Sequence, residues 1–368
     1  TIMSNSHSSS KRYFLTFLFA MTLPLFAQTA GQASTDSAEL PAEMKALAAD
    51  ALLLDIARTN NGYFAVGERG HVLASLDGKS WTQTGNIPTR STLTSIAAID
   101  QNLWAAGHDG IILASADSGK TWTRQRIDIL KPGSDDPAQG APILDLLFMD
   151  AKHGFAIGAY SLMLETKDGG TTWTPRKINT TVAAPKAAPV ASESGTFTEA
   201  DLALGEESDP HFNAMTQLTD GTLVIVGERG TVYRSADKGE TWNKLAFPYK
   251  GSMFGVMSWN DNNILTYGLR GNIYESTDRG DSWNKLESGS NASLMGGIDM
   301  LNGGAVLVGA NGVVLRRNDA ASAFTAKVVQ TKSGEVPVFS AAATSSDGQL
   351  VLVGDKGAEL VTANTETP

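Results

Sequence analysis

Cysteine is absent from the 368 residues, which excludes disulfides, thiolate metal sites, a cysteine nucleophile and a lipid-modified N-terminal cysteine together. Histidine is sparse, and His7, His71, His108, His153 and His211 show no metal-ligand spacing. Calcium loops of the Asp-x-Asp-x-Asp type are also missing. No metal or other cofactor is expected. Basic side chains are outnumbered, 29 Lys and Arg against 39 Asp and Glu, and the net charge of −10 argues against binding a phosphate backbone, so no nucleic-acid partner is expected. Long apolar runs are missing except near the start. There Lys11 and Arg12 precede an apolar stretch over 13–26, and small residues follow. Residues 1–33 read as a signal peptide with cleavage near Ala27 or Ala33. The stretch is short for a membrane span and Pro24 interrupts it. The expected mature chain is soluble and exported, to the periplasm of a Gram-negative bacterium or an equivalent lumen, and monomeric.

Glycine is plentiful, at 37 residues, and much of it falls in a recurring turn, Ser/Thr-x-Asp-x-Gly-x-Thr/Ser-Trp. Full copies run from Ser115 through Asp117 to Trp122, from Thr166 through Asp168 to Trp173, from Ser235 through Asp237 to Trp242, and from Ser276 through Asp278 to Trp283. A first copy with Asp77 and Trp81 is one residue short, and a sixth keeps Asp319 and puts Phe324 in the Trp slot. The interval is 41 residues from Trp81 to Trp122, from Trp242 to Trp283 and from Trp283 to Phe324. Several short strands per unit at this period mean propeller blades, which bury their faces only by stacking in a ring. The fold class is all-β: a seven-bladed β-propeller with four-stranded blades over 52–368.

Within a blade, four strands A to D run outward from the channel. In the second blade they fall at 93–99, 103–106, 111–115 and 122–126. The seventh blade begins near Val338, and beyond its strand at 358–361 no C-terminal D strand is read in 362–368. Closure of the ring therefore calls on residues 34–51, with a donor strand near 40–50, since an open array exposes an edge. An Ala, Pro, Ser and Thr-rich insertion at about 178–211 interrupts the series; from 187 to 210 it carries six acids and no base, a composition that forms no core of its own.

The turns are Asp-boxes, or BNR repeats, in which Asp accepts backbone N–H bonds, Gly takes the left-handed conformation and Trp packs between blades. A narrower resemblance rests on Val66-Gly-Glu-Arg-Gly-His-Val-Leu, Val226-Gly-Glu-Arg-Gly-Thr-Val-Tyr and Tyr267-Gly-Leu-Arg-Gly-Asn-Ile-Tyr. These blocks resemble the photosystem II stability and assembly factor family. That resemblance implies an exported, non-enzymatic seven-bladed propeller that uses an arginine patch to hold a membrane-protein client. Some related proteins accompany transporters of the RND superfamily, which gives an alternative role as a periplasmic transport accessory. Cyanobacterial members are typically lipoproteins; this chain lacks the cysteine for that.

The repeat itself points to a site. B-to-C and D-to-A turns emerge on one face, opposite the Asp-boxes, and aligning the B-to-C turns superposes Arg69, Asp109, Tyr160, Arg229, Arg270, Asn311 and Lys356. Four of the seven are cationic in an acidic protein, and Arg90 joins them from a D-to-A loop. Arg69, Arg229, Arg270, Lys356, Arg90 and Tyr160 are the candidate partner-binding residues, for a protein client presenting a carboxylate tail or acidic loop; local pairing with neighbouring carboxylates is the alternative. Met253 and Phe254 are either apolar anchors beside them or core, with core favoured for Phe254. A sialidase-like hydrolase is a further alternative, but the arginines and Tyr160 lie far from the axis. Asp55, Asp145 and Asp299 on the inner strands are the acids expected to face the channel, where a glycosidase needs a carboxylate pair. No catalytic residue is assigned.

Overall fold

The computed structural model describes residues 36–136, 138–178, 209–260, 262–331, 333–345 and 347–361, all within one compact unit spanning 35–368. The expected signal peptide and nearly all of the acidic insertion lie outside the described residues.

Seven antiparallel sheets form in chain order. Blade 1 holds β1 (Leu53–Thr59), β2 (Gly62–Gly67), β3 (Val72–Ser75) and β4 (Thr82–Gln83). Blade 2 holds β5 (Leu93–Ile99), β6 (Asn102–Gly107), β7 (Ile112–Ser115) and β8 (Thr123–Arg126). In blade 3 these are β9 (Ile143–Phe148), β10 (Gly154–Gly158), β11 (Met163–Thr166) and β12 (Thr174–Pro175), and in blade 4 β13 (Phe212–Gln217), β14 (Leu223–Gly227), β15 (Val232–Ser235) and β16 (Asn243–Lys244). Blade 5 follows with β17 (Met253–Trp259), β18 (Asn263–Gly268), β19 (Ile273–Ser276) and β20 (Asn284–Leu286), and blade 6 with β21 (Leu294–Asp299), β22 (Ala305–Gly309), β23 (Val313–Arg317) and β24 (Thr325–Val328). Blade 7 has β25 (Phe339–Thr344), β26 (Leu350–Gly354) and β27 (Gly357–Val361).

Strands two and three of each blade read as near-continuous apolar runs because neighbours cover both faces. Each hydrophobic cluster joins two consecutive blades; for example, Phe64 and Val66 of blade 1 pack with Leu103, Leu113 and Trp122 of blade 2. The last cluster joins Ala341, Ala343, Val351 and Val353 of blade 7 to Leu53, Ile56 and Leu73 of blade 1, so the ring is closed by packing.

The expected donor strand near 40–50 is not found: among the described residues blade 7 has three strands. Residues 36–51 instead run along the outside of blade 1. Arg90 N–H donates to Ser37 O at 2.8 Å and Ala42 N–H to Ile87 O at 2.9 Å, while Lys45 N–H reaches the Gln83 side chain. The segment reaches the seam as a short 3-10 turn, Ala48–Asp50, whose Ala48 packs beside Ala358 and Leu360. Residues 41–45 form neither helix nor strand, and the only regular element of the segment is that 3-10 turn.

The Asp-boxes form as their residue types require. In blade 2, Asp117 accepts Thr121 N–H at 2.9 Å and the Thr121 hydroxyl at 2.6 Å, Ser115 Oγ accepts Gly119 N–H at 2.9 Å, and Trp122 Nε1 donates to Gly119 O at 3.1 Å. The threonine hydroxyl and amide together pull the Asp117 carboxyl down to about 2. Gly119 needs its φ of 78° and its missing side chain, because a Cβ there would stand 2.3 Å from the Phe64 ring of blade 1.

Blade 6 has lost the box serine, and the replacement explains how the degenerate copy survives. Arg317 takes that position, with its side chain 2% exposed. Its guanidinium lies 5.5 Å from the centroid of the Trp259 ring and 5.3 Å from that of Phe324, and it pairs with Glu275 of blade 5 at 2.7 Å. Removing one member of a desolvated pair strands the other. In urea denaturation Arg317→Met is expected to cost about 3 kcal/mol, and adding Glu275→Met should restore most of it; a double variant as unstable as the single would contradict the pairing.

Candidate docking face and channel

Six B-to-C turns share one backbone. Five are short 3-10 turns and the blade 4 turn is closed by the same kind of bond, Thr231 N–H to Glu228 O at 2.9 Å; in all six the middle residue is left-handed: Arg69 at φ 55°, Asp109 at 56°, Tyr160 at 55°, Arg229 at 54°, Arg270 at 56° and Asn311 at 57°. The identical geometry places these side chains equivalently on their blades, as the repeat alignment anticipated. Asn and Asp tolerate this region; Arg and Tyr gain nothing from it and carry a strain on the order of 1 kcal/mol each. The seventh turn differs. Gly354 pairs directly with Gly357 across Asp355 and Lys356, so Lys356 sits in a tighter hairpin.

Exposure and partners divide the candidates. Arg69, Arg229 and Arg270 are exposed, as is Lys250 on the link into blade 5. Lys356 is held by Glu335 at 2.8 Å. Arg90 is half-buried and occupied: it donates to Pro41 O and pairs with Glu43 at 2.9 Å, which pulls the Glu43 carboxyl down together with Lys45. Asp109 accepts the Ser91 hydroxyl at 2.5 Å. Tyr160 stands edge-on to His211, centroids 5.0 Å apart. Met253 is fully buried while Phe254 is partly exposed, the reverse of the preference drawn from sequence. The cause is a register shift in β17 between Met253 and Gly255, which leaves Phe254 as the bulged residue.

The same bulge recurs in every inner strand, and the residues at and just after it tie blade to blade. Asp55 accepts Ile96 N–H of blade 2 at 2.8 Å. Thr94 of blade 2 donates to Ile143 O of blade 3 at 2.5 Å. Asp145 of blade 3 accepts Met215 N–H of blade 4 at 2.8 Å, Asn213 of blade 4 donates to Met253 O of blade 5 at 2.9 Å, and Ser340 of blade 7 donates to Leu53 O of blade 1 at 2.6 Å. At the remaining two junctions the equivalent residues are Phe254 with Gly255 and Met295 with Gly296, so that sector of the mouth is apolar; Met295 is 38% exposed.

Asp55 and Asp145 line the channel as expected, whereas Asp299 ends β21 and is exposed. Ser95 lies between the pair, donating to Asp145 at 3.2 Å. Removal from bulk water pushes the Asp55 carboxyl up to about 6 and, with the Asp55 charge adding to it, Asp145 to about 7; amide hydrogen bonds oppose both shifts. Sequence reasoning missed Tyr267 of β18. Its hydroxyl would lie 2.3 Å from a Cβ on Gly255, so the ring occupies the channel position that Gly255 leaves empty. Burial, then the two aspartates, raises its phenol above the ordinary value. A glycine at 255 where every blade except the sixth carries a side chain was the available signal. Among the described residues no three His, Asp or Glu side chains cluster as a metal site, and no helix is long and apolar enough to cross a membrane.

Seven blades with Asp-box turns on one face and left-handed arginine turns on the other define an Asp-box propeller. A family model described as photosynthesis system II assembly factor YCF48 matches residues 35–140, 138–188 and 198–367, and the chain belongs to that family. The photosystem II assembly lipoprotein Ycf48 of Prochlorococcus marinus is 29% identical over 121 residues, 27% of this chain and 34% of that protein. The chloroplastic photosystem II stability/assembly factor HCF136 of Arabidopsis thaliana is 30% identical over 109 residues, 29% of this chain and 21% of that protein. The matched stretch thus spans only about a fifth to a third of these relatives' length. A solved structure titled YCF48 bound to D1 peptide superposes with a TM-score of 0.61 at 17% identity, covering 90% of this chain and all of that one, which supports the fold.

The channel pair gives a pH dependence. Both carboxyls titrate higher in the folded chain than unfolded, so their contribution to stability is full below the unfolded value of about 4 and is lost as pH rises through about 6 and about 7. Melting of chelator-treated protein at fixed ionic strength is expected to fall between pH 5 and pH 8, and an Asp55→Asn, Asp145→Asn variant to flatten that slope; an equally steep slope in the variant would refute the assignment.

Proposed function

We propose that this chain is a non-catalytic assembly factor that holds an anionic segment of a protein client, an exposed loop or tail of a membrane protein, on its B-to-C face. The observation that carries this is the left-handed conformation shared by Arg69, Arg229 and Arg270. A turn under no demand for a side chain is cheaper with Gly or Asn, yet three blades place a guanidinium there. Blades 4 and 5 are neighbours, so Arg229 and Arg270, with Lys250 on the link between them, form the main cationic sector, and Phe254 and Met295 adjoin it at the channel mouth. Arginine suits the task because its planar fork binds a carboxylate at two points while its face lies on apolar surface. Arg90 and Lys356 act locally, holding the N-terminal segment and the 331–335 link, and Tyr160 serves as an aromatic neighbour on blade 3.

The solved relative's title names a D1 peptide as its partner, and the curated relatives are photosystem II assembly factors; both support a protein client and assembly as the role. The reading places the chain outside the cytoplasm, after removal of residues 1–33, acting as a single copy. Substituting Glu at Arg229 and Arg270 together is expected to weaken client capture at least tenfold while melting stays within a few degrees, and wild-type capture to weaken with added salt. Capture unchanged by the double substitution would reject the platform.

A further inference from the structure

Blade 7 stops one strand short. Among the described residues its sheet is β25, β26 and β27, where each of the other six carries a fourth strand. The register locates the difference. In blades 1, 3 and 4 an amide of the outer segment donates to the third strand at one equivalent residue: Thr84 to Val72 at 2.8 Å, Arg176 to Met163 at 2.9 Å and Leu245 to Val232 at 2.9 Å. Ala358 holds that position in blade 7, because it pairs with Val353 as Val72 pairs with Val66, and no described amide reaches its carbonyl. Strand alternation turns the N–H and C=O groups of Ala358 and Leu360 outward along a half-buried edge. The link that follows a fourth strand is in place nonetheless: Ala49 O lies against Gly357 as Thr89 O lies against Gly70 and Tyr249 O against Gly230.

The rim of this edge defines what it accepts. A cleft of about 370 Å³ beside β27 is lined by Asp50, Thr331, Ser333, Glu335, Lys356 and Glu359. Lys356 is taken by Glu335, so Asp50 and Glu359 are left as carboxylates that no described side chain pairs. The chain's own outer strands point the same way. They read Thr-Gln, Thr-Arg-Gln-Arg, Thr-Pro, Asn-Lys, Asn-Lys-Leu and Thr-Ala-Lys-Val; none holds an acid and four hold Arg or Lys. A second copy suits the edge poorly, since pairing Ala358 with Leu360 across a two-fold axis sets two Glu359 carboxylates opposite each other.

We propose that the edge of β27 is a docking site for an extended, basic segment of a partner polypeptide, which adds to blade 7 as its fourth strand. Outward amides and carbonyls of Ala358 and Leu360 supply the pairing, and Asp50 and Glu359 select a Lys- or Arg-bearing strand over an acidic one. The site is separate from the arginine face, whose preference is for anionic chain, and it stands or falls independently of that reading.

The test uses the full chain and a labelled peptide, acetyl-Asn-Lys-Thr-Lys-Val-Thr-amide, followed by fluorescence anisotropy. One peptide per chain is expected to bind. The same peptide N-methylated at every residue keeps both charges but has no amide to donate, and should bind at least tenfold more weakly. Asp50→Asn with Glu359→Gln should weaken the parent peptide about tenfold with melting unchanged. In hydrogen exchange followed by NMR, the Ala358 and Leu360 amides should exchange readily in the free chain and slow when peptide is added. Undetectable binding to the wild-type chain, equal binding of the N-methylated peptide, or equal binding to the double variant overturns the proposal. So does protection of both amides before peptide is added, which would mean that residues 362–368 or a second copy already lie on the edge.

Discussion

The structure depends on a belt of hydrogen bonds around the inner strands. Each blade's first strand carries a bulge, and at five of the seven junctions a polar side chain beside it reaches the backbone of the next blade: Asp55 to Ile96, Thr94 to Ile143, Asp145 to Met215, Asn213 to Met253, Ser340 to Leu53. A propeller has no covalent closure here, and with no cysteine in the chain the ring persists only while every junction holds. Apolar packing supplies the bulk of the adhesion, but it is non-directional. The belt sets the register in which neighbouring blades meet, and thereby the height at which each outer turn emerges.

That register turns a sequence repeat into a surface. Arg69, Arg229 and Arg270 are separated by as many as 201 residues, yet the same left-handed turn on the same strand pair presents each at the same end of its blade. The Asp-boxes do the complementary work on the other face, where each carboxylate accepts the amide and hydroxyl bonds that hold its own turn. In the proposed reading, an acidic protein thus offers a basic sector without changing its overall charge. The channel between the faces adds a third environment, in which two aspartates are held by backbone amides and the Ser95 hydroxyl with no described basic side chain paired to them.

Much of this was legible in the sequence, and the exceptions have physical causes. The 41-residue interval and the Ser-x-Asp-x-Gly-x-Thr-Trp turns predict the blade number and the strand order because they depend on local turn chemistry, which survives translation into three dimensions. The alignment of Arg69, Asp109, Tyr160, Arg229, Arg270 and Asn311 held for the same reason. Lys356 departed because its turn is one residue shorter, Val353 pairing with Ala358 where Val66 pairs with Val72, and Arg90 because residues 41–43 fold back upon it. The donor strand expected near 40–50 failed because the segment bonds to the edge of blade 1 and its link to blade 2, at Gln83, Ile87 and Arg90, rather than to blade 7. Met253 and Phe254 exchanged places through a one-residue bulge, which flips a side chain to the opposite face and leaves no mark in composition. Tyr267 was hidden because its role comes from a glycine twelve residues earlier.

The central claim is that a client meets the arginine face and not the Asp-box face, and position-resolved photo-crosslinking tests it most directly. With a photoreactive amino acid placed singly at Tyr160, Asn311 or Lys250 on one face, and at Lys120, Lys238 or Arg279 in the Asp-box turns on the other, the account predicts that one and the same client polypeptide is crosslinked from the first group and not from the second. Crosslinking of that client from the Asp-box positions, with none from the arginine face, would contradict it.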